Sequence, residues 1–113
     1  MKKIVYIAGP FRGESSWDIE ANVRAAECHG LTVARQGMIP LIPHSMYRFF
    51  QGTISDSFWL EATSELLKTA DAMLLIGNWE DSKGCAMEIE VATREAIPSF
   101  TNLMELIAWK DRR

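Results

Sequence analysis

The chain has 113 residues, 48% of them hydrophobic, and a net charge of −3. That is enough for one domain with its own core, and too acidic for a protein that tracks duplex nucleic acid. Its two cysteines, Cys28 and Cys85, and two histidines exclude a disulfide framework and give no zinc-ligand spacing.

In chain order, residues 3–8 form a short apolar run ended by Gly9 and Pro10, the pattern of a buried strand. Lys2 and Lys3 precede its apolar part, Ile4 to Ala8, which is too short for the apolar part of a secretory signal, so a cytoplasmic protein is expected. Both cysteines read as small buried residues in a reducing compartment. After a polar loop, Ser15 or Ser16 caps a helix beginning near Trp17. Ile19, Val23, Ala26, Gly30 and Val33 give it one buried stripe, and it ends at Gly37. Residues 38–42 make a second strand, at a sheet edge because of Pro40. Residues 43–55 read as a long loop, and loops of that length usually serve function.

Asp56 or Ser57 begins the next helix, with Trp59, Ala62, Leu66, Leu67 and Ala70 on its buried side. Residues 72–76 are an unbroken apolar run suited to a central parallel strand. A loop over 77–83 leads to a helix over 84–96, a fourth strand over 97–100 weakened by Pro98, and a last short helix. No stretch is long and apolar enough to span a bilayer. Strands alternating with helices predict an α/β domain in three layers, α/β/α. Its parallel sheet has four strands, or five, in the order 2-1-3-4, a flavodoxin- or Rossmann-like layout. A ligand in such a sheet lies beyond the C-terminal strand ends, which brings the loops 9–16, 43–55 and 77–84 together.

The segment 81–92 carries the most chemistry. Ser82 caps a helix and still presents a hydroxyl, and the free N–H groups of the first turn favour an anion. Glu88 lies one turn in, with only the small residues Gly84, Cys85 and Ala92 three and four positions away. It is either a catalytic carboxylate with room for a substrate or a solvated helix charge. Glu90 points elsewhere and is expected to pair with Arg94.

The second motif is Tyr6 through Gly13. It lacks dinucleotide-fingerprint spacing, but Gly9 and Gly13 let backbone approach a ligand. Phe11 either stacks on a base or packs inward. Arg12 either grips a phosphate or carboxylate or is a solvated charge. His44 titrates near neutrality or serves structure. Tyr47, Phe49 and Phe50 either cover a base or, by a small margin, pack between subunits. Trp79 is a wall for a base or a lid on the core.

Taken together these motifs resemble the nucleoside 2-deoxyribosyltransferase and nucleoside 5′-monophosphate N-glycosidase superfamily, above all its short, often phage-encoded members of unassigned function. The resemblance runs from Lys3 to Phe100 and is carried by Tyr6 to Gly13, by the Asp71 region, and by Ser82, Gly84, Glu88 and Ala92 in their spacing. It implies that Glu88 is the nucleophile at the anomeric carbon and that Ser82 contacts the 5′ end. Arg12 would bind a 5′-phosphate in a hydrolase-like member, and Phe11 would help hold the base. Such a carboxylate stabilises an oxocarbenium-like transition state and forms a glycosyl ester that water or a second base resolves.

Two positions depart from the family pattern. Thr63, with Ser64 beside it, stands where the family often has the Asp that assists the leaving base; Asp56, Glu61 or Glu65 could substitute, but the sequence does not place them. Pro10 stands where hydrolase members have Ser. The expectation is an N-glycosidase or base-exchanging transferase, or else a module that sequesters a nucleotide with little turnover. Its substrate-binding residues would be Tyr6, Gly9, Phe11, Arg12, His44, Trp79, Ser82 and Gly84. No cofactor, metal, duplex nucleic acid or membrane is expected as a partner. The many large aromatics, with the resemblance, predict a homodimer or higher homo-oligomer.

Overall fold

The structure, a computed structural model, describes residues 1–50 and 52–112. Four strands, β1 (Ile4–Ala8), β2 (Ile39–Leu41), β3 (Ala72–Leu75) and β4 (Ser99–Phe100), form one sheet in the order β2-β1-β3-β4. All three pairings are parallel, with Ile4 opposite Ile39, Val5 opposite Ala72 and Met73 opposite Ser99. The expected α/β fold class and strand order are therefore observed, with four strands among the described residues.

Side-chain alternation along the central strands sorts the core into two layers. Val5 and Ile7 of β1 and Ala72 and Leu74 of β3 pack with α1 (Ser16–Arg35) and α5 (Leu103–Asp111) through Ala26, Val33 and Leu106. Tyr6 and Ala8, with Met73 and Leu75, pack on the other face against α3 (Asp56–Leu67) and α4 (Lys83–Arg94) through Leu67, Cys85 and Ala92. The parity of β1 thus turns Tyr6 towards α4.

The helix starts follow from side-chain caps. Ser15 accepts from Asp18 N at 3.2 Å, Ser55 from Phe58 N at 3.2 Å and Ser82 from Cys85 N at 3.2 Å. Within the segment expected to be a long loop, the chain instead forms a short helix, α2 (Pro43–Tyr47), and a 3-10 turn (Arg48–Phe50). Pro43 opens α2 because its fixed φ suits a first helical position. Five residues are too few to show a helical period in sequence. The strand expected over 97–100 shortens to Ser99–Phe100, because Ile97 N donates to Ala92 O and closes the end of α4. That helix stops at Arg94, two residues before the expected end, and Ala96 takes the left-handed conformation, φ 57°. Cys85 is buried as expected, but Cys28 is exposed, because it lies off the Val23–Ala26–Gly30–Val33 stripe of α1. The expected Glu90–Arg94 pair is not formed; both side chains line an outer groove between α3 and α4. No helix among the described residues is long and apolar enough to cross a membrane.

Candidate active site

The C-terminal ends of β1, β2 and β3 open into a cavity of about 1010 Å³. The loop after β1, helix α2, the first half of α3 and the loop into α4 wall it. Gly9 is needed at the end of β1, since a Cβ there would lie 2.6 Å from Ile76 Cγ1. Beyond it the loop is pinned from two sides. Asn22 Nδ2 of α1 donates to the carbonyls of Phe11 and Arg12, both at 3.1 Å. His44 Nε2 of α2 lies 3.0 Å from Gly9 O and 3.2 Å from Pro10 O, so it carries the proton and donates to them.

Glu88 lies at the inner end of the cavity, on the helix face that α4 turns to the sheet. The Tyr6 hydroxyl donates to Glu88 Oε2. Two effects compete on this carboxylate. Burial disfavours its charge, and the Tyr6 hydrogen bond favours it. Burial wins, and the Glu88 pKa is pushed up to about 7. Burial also raises the Tyr6 hydroxyl well above its ordinary value, and the Glu88 charge adds to this. Tyr6 therefore stays a donor at every physiological pH. Thr63, beside Tyr6 on α3, lines the same cavity and donates its hydroxyl to Leu60 O at 3.1 Å. At the head of α4, Ser82 lines the cavity and its hydroxyl accepts from Cys85 N. A Cβ on Gly84 would come no nearer than 3.7 Å to Ser82 Oγ and 3.8 Å to Leu60 Cδ2. Packing does not demand glycine there; its missing side chain is open space along the cavity.

At the outer rim Arg12 forms an ion pair with Asp56, the first residue of α3, at 2.6 Å. The hydrogen bond with Asp56 raises the Arg12 pKa, and the same bond lowers that of Asp56. The guanidinium expected to await a phosphate is held by a carboxylate of the chain itself. The aromatic wall comes from α2 and α3, where Tyr47 and Trp59 lie 5.0 Å apart at their ring centroids. Phe11 and His44 form the opposite pair at 6.1 Å. His44 is buried, and that desolvation lowers its pKa, so it is neutral at pH 7. His44 Nδ1 and Trp59 Nε1 are buried without a hydrogen-bond partner. Each such atom costs about 1–3 kcal/mol, and each belongs to a cavity-lining residue. No group of three or more metal-ligating side chains occurs among the described residues.

Of the residues expected to form the site, Tyr6, Gly9, Phe11, Arg12, His44, Ser82, Gly84 and Glu88 share this cavity. Trp79 does not; it is half-buried against the α3/α4 core layer, the lid reading of that residue. Sequence reasoning missed Asn22, Trp59 and Asp81 as cavity residues. Asn22 and Trp59 lie on helix faces whose buried stripes read as plain core packing, and Asp81 reads as a loop charge. Of the three acids that could stand in for the one missing at Thr63, Asp56 lines the cavity and Glu61 and Glu65 line the outer groove.

No curated protein matches the sequence. A family model does, over residues 3–101, so the chain belongs to the family described as a domain of unknown function, DUF7768.

Proposed function

We propose that the protein cleaves the N-glycosidic bond of a nucleoside or nucleoside 5′-monophosphate, or exchanges its base, with Glu88 as nucleophile. The observation that carries this reading is the Glu88 carboxylate. It is half-buried in a large cavity, held by the Tyr6 hydroxyl, and desolvation pushes its pKa up to about 7, near neutrality. In the first step a Glu88 oxygen bonds to the anomeric carbon. The C–N bond breaks, and its electron pair leaves with the base, which takes up a proton. Water then attacks the glycosyl ester and restores Glu88, or a second base attacks and the sugar is transferred. Ser82 and the free N–H groups of the first turn of α4 suit the 5′ end of the sugar. The Tyr47, Trp59 and Phe11 rings suit the base.

A second reading, a sequestering module, is favoured by Thr63, whose hydroxyl is engaged with Leu60 where the deoxyribosyltransferase superfamily that the sequence resembles often has an Asp to assist the leaving base. The two separate by experiment. Wild-type protein is incubated with a panel of nucleosides and 5′-monophosphates, free base is followed, and intact protein mass is read after a rapid acid quench. Release of base with a glycosyl adduct on the peptide carrying Glu88 supports the enzyme. Binding with neither base nor adduct supports the module.

A cytoplasmic homo-oligomer is part of the same proposal. Trp17 and Phe49, 81% and 80% exposed, are the apolar surface that a partner copy would cover. Light scattering that gives a monomer at tens of micromolar, a rough working concentration, counts against it.

A further inference from the structure

The charges around the cavity do not balance. Four carboxylates, on Asp18, Asp56, Asp81 and Glu88, line it together with two cations, on Arg12 and Lys83. With Glu88 ionised the lining carries a net charge of −2. Arg12 is committed to Asp56 at 2.6 Å. His44 adds no charge, since burial keeps it neutral at pH 7. The remaining attraction for an anion is Lys83 and the first turn of α4, which acts as about half a positive charge over a short range. A 5′-phosphate brings about −1.5 to −2. To be held by a guanidinium it must take Arg12 from Asp56 and leave that carboxylate unpaired beside it. A neutral nucleoside enters with the pair intact.

We propose that the cavity selects an uncharged nucleoside over its 5′-monophosphate, and that Asp56 is the selecting residue because it occupies the guanidinium a phosphate would need. The identity of the ligand rests on the N-glycosidic reading above; the charge selection is a property of the cavity itself. Arg12 and Asp56 are both more than half exposed, 60% and 57% for their side chains, so the selection is electrostatic and weakens as salt is added.

Binding and turnover are measured separately. Calorimetry on Glu88→Gln protein, which prevents turnover, is run with 2′-deoxyadenosine, 2′-deoxycytidine and their 5′-monophosphates, with and without Asp56→Asn. The nucleosides should bind at least about tenfold more tightly than the monophosphates at low salt. Asp56→Asn should tighten monophosphate binding by about tenfold and leave nucleoside binding within about threefold. Adding Arg12→Ala should erase that gain. Monophosphates that bind as tightly as nucleosides, a preference unmoved by Asp56→Asn, or no binding of either ligand overturns the proposal. Base release by wild-type protein is the separate readout. If the preference behaves as stated and no base is released, charge selection stands and the glycosidase reading falls. If base is released with a preference for monophosphates, the reverse holds.

Discussion

Glu88 and Asp56 are carboxylates on the walls of one cavity, and the protein moves their acidities in opposite directions. Glu88 sits at the inner end of the cavity, where burial outweighs the Tyr6 hydrogen bond and lifts its pKa to about 7. Asp56 sits at the solvent rim, where the Arg12 hydrogen bond holds its pKa below the ordinary value. A strong donor is present in both cases, so the donor does not decide the direction. Depth does. The deep carboxylate is the one poised to exchange a proton or attack near neutrality. The rim carboxylate is charged at pH 7 and acts through its field.

The largest expected effect follows from the deep group. Glu88→Gln keeps the shape and removes the charge of the proposed nucleophile. Base release should fall by roughly a thousandfold or more, while nucleoside affinity stays within about tenfold, or about 1.4 kcal/mol. Full retention of base release would remove Glu88 from the mechanism and leave the contrast with Asp56 without chemical meaning. Tyr6→Phe should act next most strongly. It deletes the interaction that favours the Glu88 charge, so the carboxylate titrates at higher pH than in wild type. A hydrogen bond to a charged group contributes about 1.5–3 kcal/mol, so the rate at pH 7 should drop about tenfold or more. The acid limb of the pH–rate profile, placed near pH 7 in wild type by the Glu88 pKa, should move up. A lower rate with an unmoved limb would mean that Tyr6 acts on the substrate instead.

The third effect is on stability, and its sign is opposite to that of a salt-bridged acid. In the unfolded chain Glu88 ionises near its ordinary value of 4.5, and in the fold it keeps its proton to about 7. Between those values the unfolded state holds fewer protons than the native state, so stability falls as pH rises. Above about pH 7 the full cost is present, and below about pH 4.5 there is none. Glu88→Gln should therefore stabilise the protein at pH 8, by an amount on the order of 1–3 kcal/mol, with no gain at pH 4. Midpoints from thermal scans at the two pH values measure it, at roughly 4 °C or more per kcal/mol for a domain of this size. A variant less stable than wild type at pH 8 would show that the Tyr6–Glu88 contact outweighs the burial of the charge.

How far this contrast was legible in the sequence differs between its two halves. The sheet and its order follow from the apolar runs at residues 4–8 and 72–76, because β1 and β3 are buried on both faces. Glu88 stood out because Gly84, Cys85 and Ala92 clear space around it, a local property of one helix. The Tyr6 contact spans 82 positions. A signal for it was present in the alternation that puts Tyr6 and Ala8 on the face opposite Val5 and Ile7. The rim was harder to see. Asp56 reads as an acid at a helix start and as one of three that could replace the acid missing at Thr63, but its bond to Arg12 depends on how α3 sits over the β1 loop. Trp79 misled for the converse reason. Adjacency to the end of β3 places its backbone at the site but not its ring, which turns to the core.

The smallest expected effect concerns that rim pair. Arg12 and Asp56 meet at 2.6 Å with both side chains more than half in solvent. Exposed pairs of this kind contribute little, because water screens the attraction and two long side chains must be held in one geometry. The lowered pKa of Asp56 fixes the sign of what remains: stabilisation is present above its unfolded value of 3.8 and is lost as pH falls towards the folded value. The loop that carries Arg12 has stronger attachments in Asn22, which holds the carbonyls of Phe11 and Arg12, and His44, which holds those of Gly9 and Pro10. Asp56→Asn should therefore leave the thermal midpoint at pH 7 indistinguishable from wild type, at low and at high salt, even though it changes which ligands the cavity accepts. A clear fall in the midpoint, relieved by salt in neither protein, would show that the rim pair anchors the β1 loop. Asp56 would then be a structural group like Tyr6, and depth would no longer separate the two carboxylates.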